Sequence, residues 1–369
     1  MKLKFIKNSI YLLVAFILFG CEDAIDIEQV GRLTPDNAFR TVEDFELGLN
    51  GAYTTLNIKN EVALNATYTD EIAEGIASGS QGFTTGLIFN LTAGSGITAS
   101  IFNSGYRQLN AVNRIIEAAE FIEIEDADEQ ARFDNALGQA YAIRAYSHFT
   151  LLSYYTTDYT DDSALGVIIQ TAVPDIDAEP LRSTNGEVYQ VIEDDLALAS
   201  QLITNQSSET RTFISQDFVK ALRARIAAYK QDYPTALTLA QELLADYPLA
   251  DRTEYPLIWE DESNEEIIFK LERTRNGPYD SQAGWIGNTF AFTNATAGGG
   301  AFYEFSRSLF NLFDPADIRY DAFLADDSTV SPDYQNAENY IDEDVIVISK
   351  YPGSEGQNLL NDLKVFRSS

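Results

Sequence analysis

The sequence predicts a mostly α-helical protein in which stacked helix pairs pack against an irregular half of loops and short strands. Three observations support this prediction. Apolar residues recur at helical spacing along most of residues 34–250. Within that region, residues 215–248 contain two helical patterns separated by a short turn. After Asp251 the pattern changes to short apolar runs between loops.

Residues 1–20 have the order of a secretory signal peptide. Basic residues precede an apolar run from Ile10 to Phe19, which is too short for a membrane span because a span needs about 20 residues. The segment Leu18-Phe19-Gly20-Cys21 resembles a bacterial lipobox. We therefore predict that Cys21 carries acyl chains such as palmitate and becomes the N-terminus of the mature protein.

Charge and cysteine content limit the partners and the sources of stability. The chain carries 57 acidic and 25 basic residues, for a formal net charge of −32. Such a surface repels nucleic acid, whose binding depends on Lys and Arg, and also repels anionic lipid. Cys21 is the only cysteine, so stability must come from packing and not from an intrachain disulfide.

Residues 21–33 are polar and acidic, and we interpret them as a tether. Glu22, Asp23 and Asp26 follow the predicted lipidation site directly. Acidic residues in this position resemble the signal that sends some Gram-negative lipoproteins to the outer face of the outer membrane.

The first predicted helix begins at Thr41, an N-cap residue with Glu43 and Asp44 in the first turn. Its apolar positions are Phe45, Leu49, Ala52, Tyr53 and Leu56. The stretch Asn65–Ser100 is rich in Gly, Ser and Thr and predicts a long loop, a kind of segment that often carries function.

Helical spacing returns over residues 106–120, 134–153 and 187–203. Between the last two segments, Thr156–Ser183 contains Pro174 and Pro180 and predicts another loop. All of these segments are helix or loop, which favours a helical scaffold over a mixed fold.

Residues 215–248 resemble a tetratricopeptide unit. Small and apolar residues line Ala221–Ala228 and Ala236–Leu244, and Gln231–Pro234 forms the predicted turn. The turn is one residue shorter than usual, at the place where a glycine would sit. We expect Tyr233 to pack into the junction and the other predicted helices to stack on this pair, since one unit cannot bury its own face.

The region after Asp251 predicts short strands at 265–270 and 345–348. Between them lie a Gly-rich stretch at 297–300 and an aromatic-rich stretch at 290–313. We expect this half to pack against the helical repeats.

Several segments, in order, resemble the SusD/RagB family of lipoproteins. Residues 33–39 and 44–53 are similar to that family's opening helix, and residues 106–113 to its next one. Residues 140–146 resemble a small-x-x-x-Arg-Ala-aromatic run of the family. The resemblance covers nearly all of the mature chain, and the combination of segments is more specific than any one of them.

On this resemblance the chain divides into a SusD-like helical region, 34–250, and a RagB/SusD-like C-terminal region, 251–369. The family usually continues into further helices after a motif like Leu363–Arg367, whereas this sequence stops at Ser369. We therefore expect a truncated C-terminal region.

The resemblance implies a nutrient-binding lipoprotein on the outside of the outer membrane that acts as the lid of a TonB-dependent, SusC-like transporter. Family members of this kind help to capture oligosaccharides or, in the RagB branch, peptides. The residues independently support only the anchor, the helical scaffold and an abundant supply of aromatic side chains.

Sugar rings present an apolar C–H face that stacks on flat aromatic surfaces, while their hydroxyls need amide or charged partners. Loop aromatics beside Asn, Asp or Arg are therefore the expected ligand contacts. The candidates are Tyr68, Phe83, Tyr279, Trp285, Asn288 and Phe290. Trp285 is preferred because glycines at 284 and 287 indicate a loop, and core packing is the alternative for each aromatic.

Catalytic chemistry is not favoured. Among so many acidic residues, carboxylate pairs at glycosidase spacing arise by chance, and we interpret Asp161-Asp162 and Glu193-Asp194-Asp195 as a solvated face. His148 is the only histidine, which excludes multi-His zinc sites and favours a structural or surface role.

No cofactor and no metal site is predicted. Nucleotide-binding glycine motifs are missing from a strand-to-helix setting. A calcium site at Asp158, Asp161 and Asp162 is a weaker reading than an exposed acidic turn. Three functions remain open: a non-catalytic glycan-binding lipoprotein, with peptide as the alternative ligand; a surface-anchored glycan hydrolase; and a helical adaptor that binds only protein.

Overall fold

The structure, a computed structural model, describes residues 38–75, 87–92, 94–277, 303–326, 328–332, 344–354 and 360–369. The predicted signal peptide and tether lie outside this part of the chain.

The helices are α1 (Val42–Tyr53), α2 (Lys59–Thr67), α3 (Gly96–Ala118), α4 (Ala127–Tyr155), α5 (Asn185–Leu202), α6 (Gln216–Tyr229), α7 (Tyr233–Asp246), α8 (Glu254–Trp259), α9 (Arg307–Phe310) and α10 (Ile318–Phe323). The strands are β1 (Ile72–Glu74), β2 (Ile267–Leu271), β3 (Tyr303–Phe305) and β4 (Leu363–Arg367). The predicted mostly α-helical class is confirmed.

Helix α1 begins where the sequence predicts. The Thr41 hydroxyl accepts a hydrogen bond from the backbone N–H of Asp44 at 3.2 Å, and the Asp44 carboxylate accepts one from the backbone N–H of Thr41 at 3.0 Å. This reciprocal capping box satisfies two N–H groups that lack partners inside the helix. The buried face of α1 consists of Val42, Phe45, Leu49 and Ala52.

The long loop predicted over Asn65–Ser100 is wrong at both ends. Helix α2 continues through Thr67, and α3 already begins at Gly96, well before the predicted start at residue 106. The first turns of α3 are rich in Ser, Thr and Gly, which locally favour loops. The hydroxyls of Thr98 and Ser100 instead donate back to carbonyls of the preceding turn, at 2.7 and 2.8 Å, and Ile101 is buried.

Helix α4 is the central helix of the helical half. Its N-cap, Asp126, accepts hydrogen bonds at 2.9 Å from the backbone N–H groups of Asp128 and Glu129. Nearly every residue from Gly138 to Leu152 is buried, because α3 and α5 pack on opposite sides. The prediction over 134–153 identified this helix but missed its exposed first turns.

Helices α3 to α7 contact one another in chain order. This is the arrangement of a helical-repeat protein, in which each helix pair covers the apolar face of its neighbour. The stacking predicted from the sequence is confirmed.

The short turn between α6 and α7 contains one strained backbone position. Gln231 adopts the left-handed conformation with φ of 60°, which glycine would adopt at lower cost. The packing predicted for Tyr233 is wrong, because its side chain is 63% exposed at the start of α7. Tyr247, just after α7, is the buried tyrosine, and its hydroxyl donates to Asp217 of α6 at 2.7 Å.

A buried ion pair joins α4 to α5. The Arg144 guanidinium donates to both carboxylate oxygens of Asp195, at 2.9 and 2.6 Å. Asp195 is only 2% exposed, so the solvated face predicted for residues 193–195 is wrong at this position. Burial raises the pKa of Asp195, and the Arg144 guanidinium opposes that rise.

The same guanidinium also ties down the loop between α4 and α5. Arg144 donates to the carbonyl of Thr171 at 2.9 Å and to the side-chain oxygen of Asn113 on α3 at 3.3 Å. The Asn113 amide in turn donates to the carbonyls of Gln170 and Ala172, at 2.9 and 3.1 Å. Three helices and one loop therefore meet in a single polar network.

His148 completes this network and has a structural role. Its Nδ1 donates to the carbonyl of Arg144 at 3.1 Å, and its Nε2 accepts from the backbone N–H of Gln170 at 3.1 Å. These partners fix the tautomer, because a carbonyl can only accept and an N–H can only donate. The ring is fully buried.

The second half consists of short elements. Strands β2 and β4 pair antiparallel, with Leu271 opposite Leu363, and all of β2 is buried. The strand predicted at 265–270 starts only at Ile267, because Glu266 has a left-handed φ of 60°. The strand predicted at 345–348 is reduced to isolated pairings with Thr329, Glu304 and Leu324.

The Gly-rich stretch at 297–300 and the first part of the aromatic-rich stretch at 290–313 lie outside the described residues. Over the ranges that the structure covers, no helix combines the length and the apolar character needed to cross a bilayer.

Replacing Arg144 with Met is expected to lower the free energy of unfolding by about 3–5 kcal/mol, because Asp195 would become a buried charge without its partner. The double variant Arg144→Met/Asp195→Leu should recover part of that loss, as measured by urea denaturation. The control is Arg132→Met, which breaks the exposed pair with Glu46 and should cost far less, because solvent and salt screen exposed charges. Equal losses in the single and double variants would contradict the role assigned to the pair.

Acidification is expected to destabilise the fold through His148. Burial first, and then the nearby Arg144 guanidinium, lower the pKa of His148 from 6.5 to about 4. The unfolded chain therefore takes up the proton first, and stability that is present above pH 6.5 is lost toward pH 4, by up to about 3 kcal/mol. In His148→Gln, the free energy of unfolding should fall less steeply over this range; parallel curves for the two proteins would refute the assignment.

Candidate ligand-binding region

The two halves of the protein are joined by a short antiparallel ladder between β1 and β3. Ile72 lies opposite Phe305, and Glu74 lies opposite Tyr303. The ladder continues where the backbone N–H of Ser306 donates to the carbonyl of Glu71 at 3.0 Å. The Ser306 hydroxyl also donates to the carbonyl of Asp70.

Two chain segments that contain predicted ligand-binding residues attach to this ladder. Glu74 is followed, one residue later, by the segment 76–86, and Tyr303 is directly preceded by the segment 278–302. Since Glu74 and Tyr303 are paired, both segments connect to the same end of the ladder. Five of the six residues predicted to contact ligand are in these segments and lie outside the described residues: Phe83, Tyr279, Trp285, Asn288 and Phe290.

Tyr68 is the predicted ligand residue that the structure describes. It follows the last residue of α2, and its side chain is half-buried. Its hydroxyl lies 3.5 Å from the carbonyl of Asn90, at the outer limit of a hydrogen bond. Tyr68 is therefore neither a fully buried core residue nor a free platform.

A cavity of about 320 Å³, the ladder cavity, lies against β1 and β3. This volume is at the lower end of the range for small-molecule sites. Glu71 and Ile72 line it from the β1 side, and Val62 and Ala66 from α2. Its aromatic walls are Tyr255, Phe305, Phe313, Phe323 and Tyr351.

Charged groups also line the ladder cavity: Glu71, Arg319, Lys350 and Arg367. Burial lowers the pKa of Lys350 to about 8, with Glu71 opposing the shift and the two arginines adding to it. Sequence reasoning missed these residues. The available signal was a lysine inside an apolar run, Val345 to Tyr351, where a charge is expensive to bury.

Two further cavities adjoin each other through Glu272 and Arg273. One, of about 420 Å³, is lined by Asn50, several threonines and Phe213, whose ring is 48% exposed. The other, of about 540 Å³, is mostly polar and contains the Lys270–Asp362 ion pair at 2.9 Å. An exposed ring beside an amide and hydroxyls is the combination expected for a sugar, and sequence reasoning did not identify Phe213.

The acidic turn at 158–162 is held by its own side chains. Asp158 accepts from the backbone N–H of Thr160 at 2.9 Å, and Asp161 accepts from that of Ser163 at 2.8 Å. Hydrogen bonds from the hydroxyls of Thr160 and Ser163, followed by these backbone bonds, lower the pKa of both carboxyls. Asp162 pairs with Lys230 at 3.3 Å. No cluster of metal-ligating side chains occurs in the part of the chain that the structure describes.

Comparison with known proteins identifies relatives with one shared description. A SusD-like family model, described as starch-binding and associating with the outer membrane, matches residues 33–228. The chain is 24% identical over 237 residues to SusD-like protein P2 of Formosa agariphila, which covers 63% of this chain. It spans only 44% of the length of that relative.

Solved structures show the same fold. A SusD superfamily protein from Bacteroides thetaiotaomicron superposes with a TM-score of 0.71 at 22% identity, over 89% of this chain and 73% of that one. A SusD-like carbohydrate binding protein from Bacteroides vulgatus superposes with a TM-score of 0.68 at 20% identity, over 89% of this chain and 69% of that one.

Proposed function

This chain belongs to the SusD-like family of starch-binding proteins that associate with the outer membrane, and we propose that it binds oligosaccharides at the cell surface without cleaving them. In this proposal it acts as the lid of a TonB-dependent, SusC-like transporter and passes glycans to that transporter during nutrient uptake. Its attachment is through lipid on Cys21, with the protein facing the cell exterior.

The observation that carries the glycan-binding proposal is the β1–β3 ladder. It pairs Glu74 with Tyr303, beside which segments 76–86 and 278–302 attach, and those segments contain most of the aromatic and amide side chains suited to a sugar. This pairing would allow residues from both halves of the protein to contact one ligand. Trp285 is the central contact of the proposal, with Tyr68, Phe83, Tyr279, Asn288 and Phe290 around it.

Glycan is preferred to peptide as the ligand because of the described surface near β2. Exposed Phe213 lies beside Asn50 and threonine hydroxyls, which suit a ring with an apolar face and a hydroxyl rim. A peptide would need unpaired backbone donors and acceptors or a row of side-chain pockets. A peptide-binding, RagB-like role is the alternative that the binding experiment addresses.

Binding without turnover is proposed because hydrolysis of a glycosidic bond usually needs two carboxylates on opposite sides of that bond. Of the acidic groups considered from the sequence, Asp195 is engaged by Arg144 and Asp162 by Lys230. Asp158 and Asp161 hold their own turn. Glu193 pairs with Arg223 at 2.6 Å, and Asp194 accepts from the Gln190 amide at 2.8 Å, so each of these carboxylates already has a partner.

Trp285→Ala is expected to weaken oligosaccharide binding at least about tenfold, because a stacking indole that is central to a site carries much of the binding energy. Isothermal titration of the soluble protein against a glycan panel measures the affinity, and reducing-end assays on the same samples detect cleavage. Phe121→Ala, which removes another exposed ring, is the matched control and should leave affinity unchanged.

Unaltered affinity in Trp285→Ala would move the binding surface elsewhere. Release of reducing ends that a single carboxylate substitution abolishes would replace the binding role with hydrolysis. Retention of peptides but of no glycan would favour the RagB-like alternative, and binding only to a membrane barrel would favour the adaptor.

Cys21→Ala is expected to move the protein from the membrane fraction to the soluble fraction, because it removes the proposed acyl attachment and the acidic surface repels anionic lipid. Cell fractionation followed by immunoblotting measures the shift, with Cys21→Ala compared with wild type in the same strain. Protease treatment of intact cells expressing the wild type tests the outward orientation. Unchanged membrane association of the variant would refute the lipid anchor.

A further inference from the structure

We infer that the ladder cavity is a subsite for the carboxylate of an acidic saccharide residue, with Lys350 as the cation that receives it. This inference rests on the proposed glycan-binding function and adds a ligand class to it. It is carried by the pairing state of the basic side chains that line the cavity.

Lys350 differs most clearly from Arg319, which donates to both carboxylate oxygens of Asp317, at 2.6 Å for the shortest contact. Arg367 is intermediate, because it lies 3.6 Å from a carboxylate oxygen of Glu266 and also faces the ring of Trp259 at 4.8 Å. Within the described ranges, the Lys350 amine has no carboxylate within 4 Å. Its cation instead faces the rings of Trp259, Phe323 and Tyr351, at 4.8, 5.0 and 5.8 Å from their centroids.

A cation held among aromatic rings has lost most of its water and gains only part of the lost solvation from the rings. A carboxylate that enters the cavity would complete this solvation with a charge-assisted hydrogen bond. Lys350 is half-buried and forms part of the cavity wall. Glu71, the acidic side chain on the wall, is exposed at the rim and is not within ion-pair distance of Lys350.

The shape and wall chemistry suit a sugar acid. A volume of about 320 Å³ admits one pyranose ring. Phe305 and Phe323 provide apolar walls for the C–H face of such a ring, while Lys350 provides the cation for its carboxylate. A uronate residue combines these two features in one compact unit.

The rest of the molecule makes this cation important for selectivity. A chain with a formal net charge of −32 repels anionic ligands in general. An acidic saccharide can therefore compete with a neutral one only where a local cation compensates for that repulsion. Lys350 would turn a site for glycans into a site that prefers acidic glycans.

The test compares a trimer of galacturonate with its methyl ester, which has the same ring but no charge, by isothermal titration at fixed ionic strength. The wild type should bind the acid about tenfold more tightly than the ester. Lys350→Met should abolish that preference, and Lys350→Arg should keep it. Lys230→Met removes one positive charge from the exposed pair with Asp162 and should leave the preference unchanged.

A melting-temperature measurement and a second variant distinguish a lost carboxylate contact from a folding defect. The melting temperature of Lys350→Met should equal or exceed that of the wild type, because a half-buried charge is replaced by an apolar side chain. Glu71→Gln removes the negative charge on the cavity wall and should strengthen binding of the acid, a gain that a damaged protein would not show.

Equal binding of acid and ester by the wild type would overturn the inference while leaving the glycan-binding function intact. A preference that survives in Lys350→Met would also overturn it, as would binding of peptide carboxylates but not uronates through Lys350. Failure to bind any glycan, neutral or acidic, would instead defeat the proposed function from which the inference starts.

Discussion

The helical half depends on satisfying one buried guanidinium. Arg144 lies in the middle of α4, where helices pack on both sides, and its charge can remain there only if carboxylate and carbonyl oxygens surround it. Asp195, Asn113 and Thr171 supply those oxygens from α5, α3 and the following loop. The requirement therefore fixes how three helices and a proline-containing loop are arranged, with more directional precision than apolar packing alone would give.

Two of the segments that carry the family resemblance, residues 106–113 and 140–146, prove to be parts of this framework. Asn113 and Arg144 belong to the polar network, and the Tyr106 hydroxyl both donates to the carbonyl of Ile168 and accepts from its N–H, at 3.2 and 3.0 Å. All three side chains hold the loop between α4 and α5 in place. The resemblance thus reflects a shared scaffold, and the scaffold does not by itself choose a ligand.

Helical periodicity predicted α1 and α4–α7 because apolar residues recur in them at helical spacing, and the N-cap at Thr41 was predictable because its partner is three residues away. The burial of Asp195 was not, since its partner is 51 residues distant and no local pattern marks it. Contacts between residues distant in sequence also determine the site, so local patterns could not predict it. Aromatic abundance was visible in the sequence, but the ladder cavity combines residues from α2, β1, α8, α10 and the last strand, and only the folded chain brings Lys350 to its wall.

The β1–β3 ladder has a consequence for the order of folding. It pairs positions about 230 residues apart in the sequence, whereas α3 to α7 mostly contact their neighbours in the chain. Closing so long a loop costs more chain entropy than helix stacking, so contacts of this kind form late. The helical scaffold can thus consolidate first, and the ladder cavity is completed only after the remote segment has returned to β1.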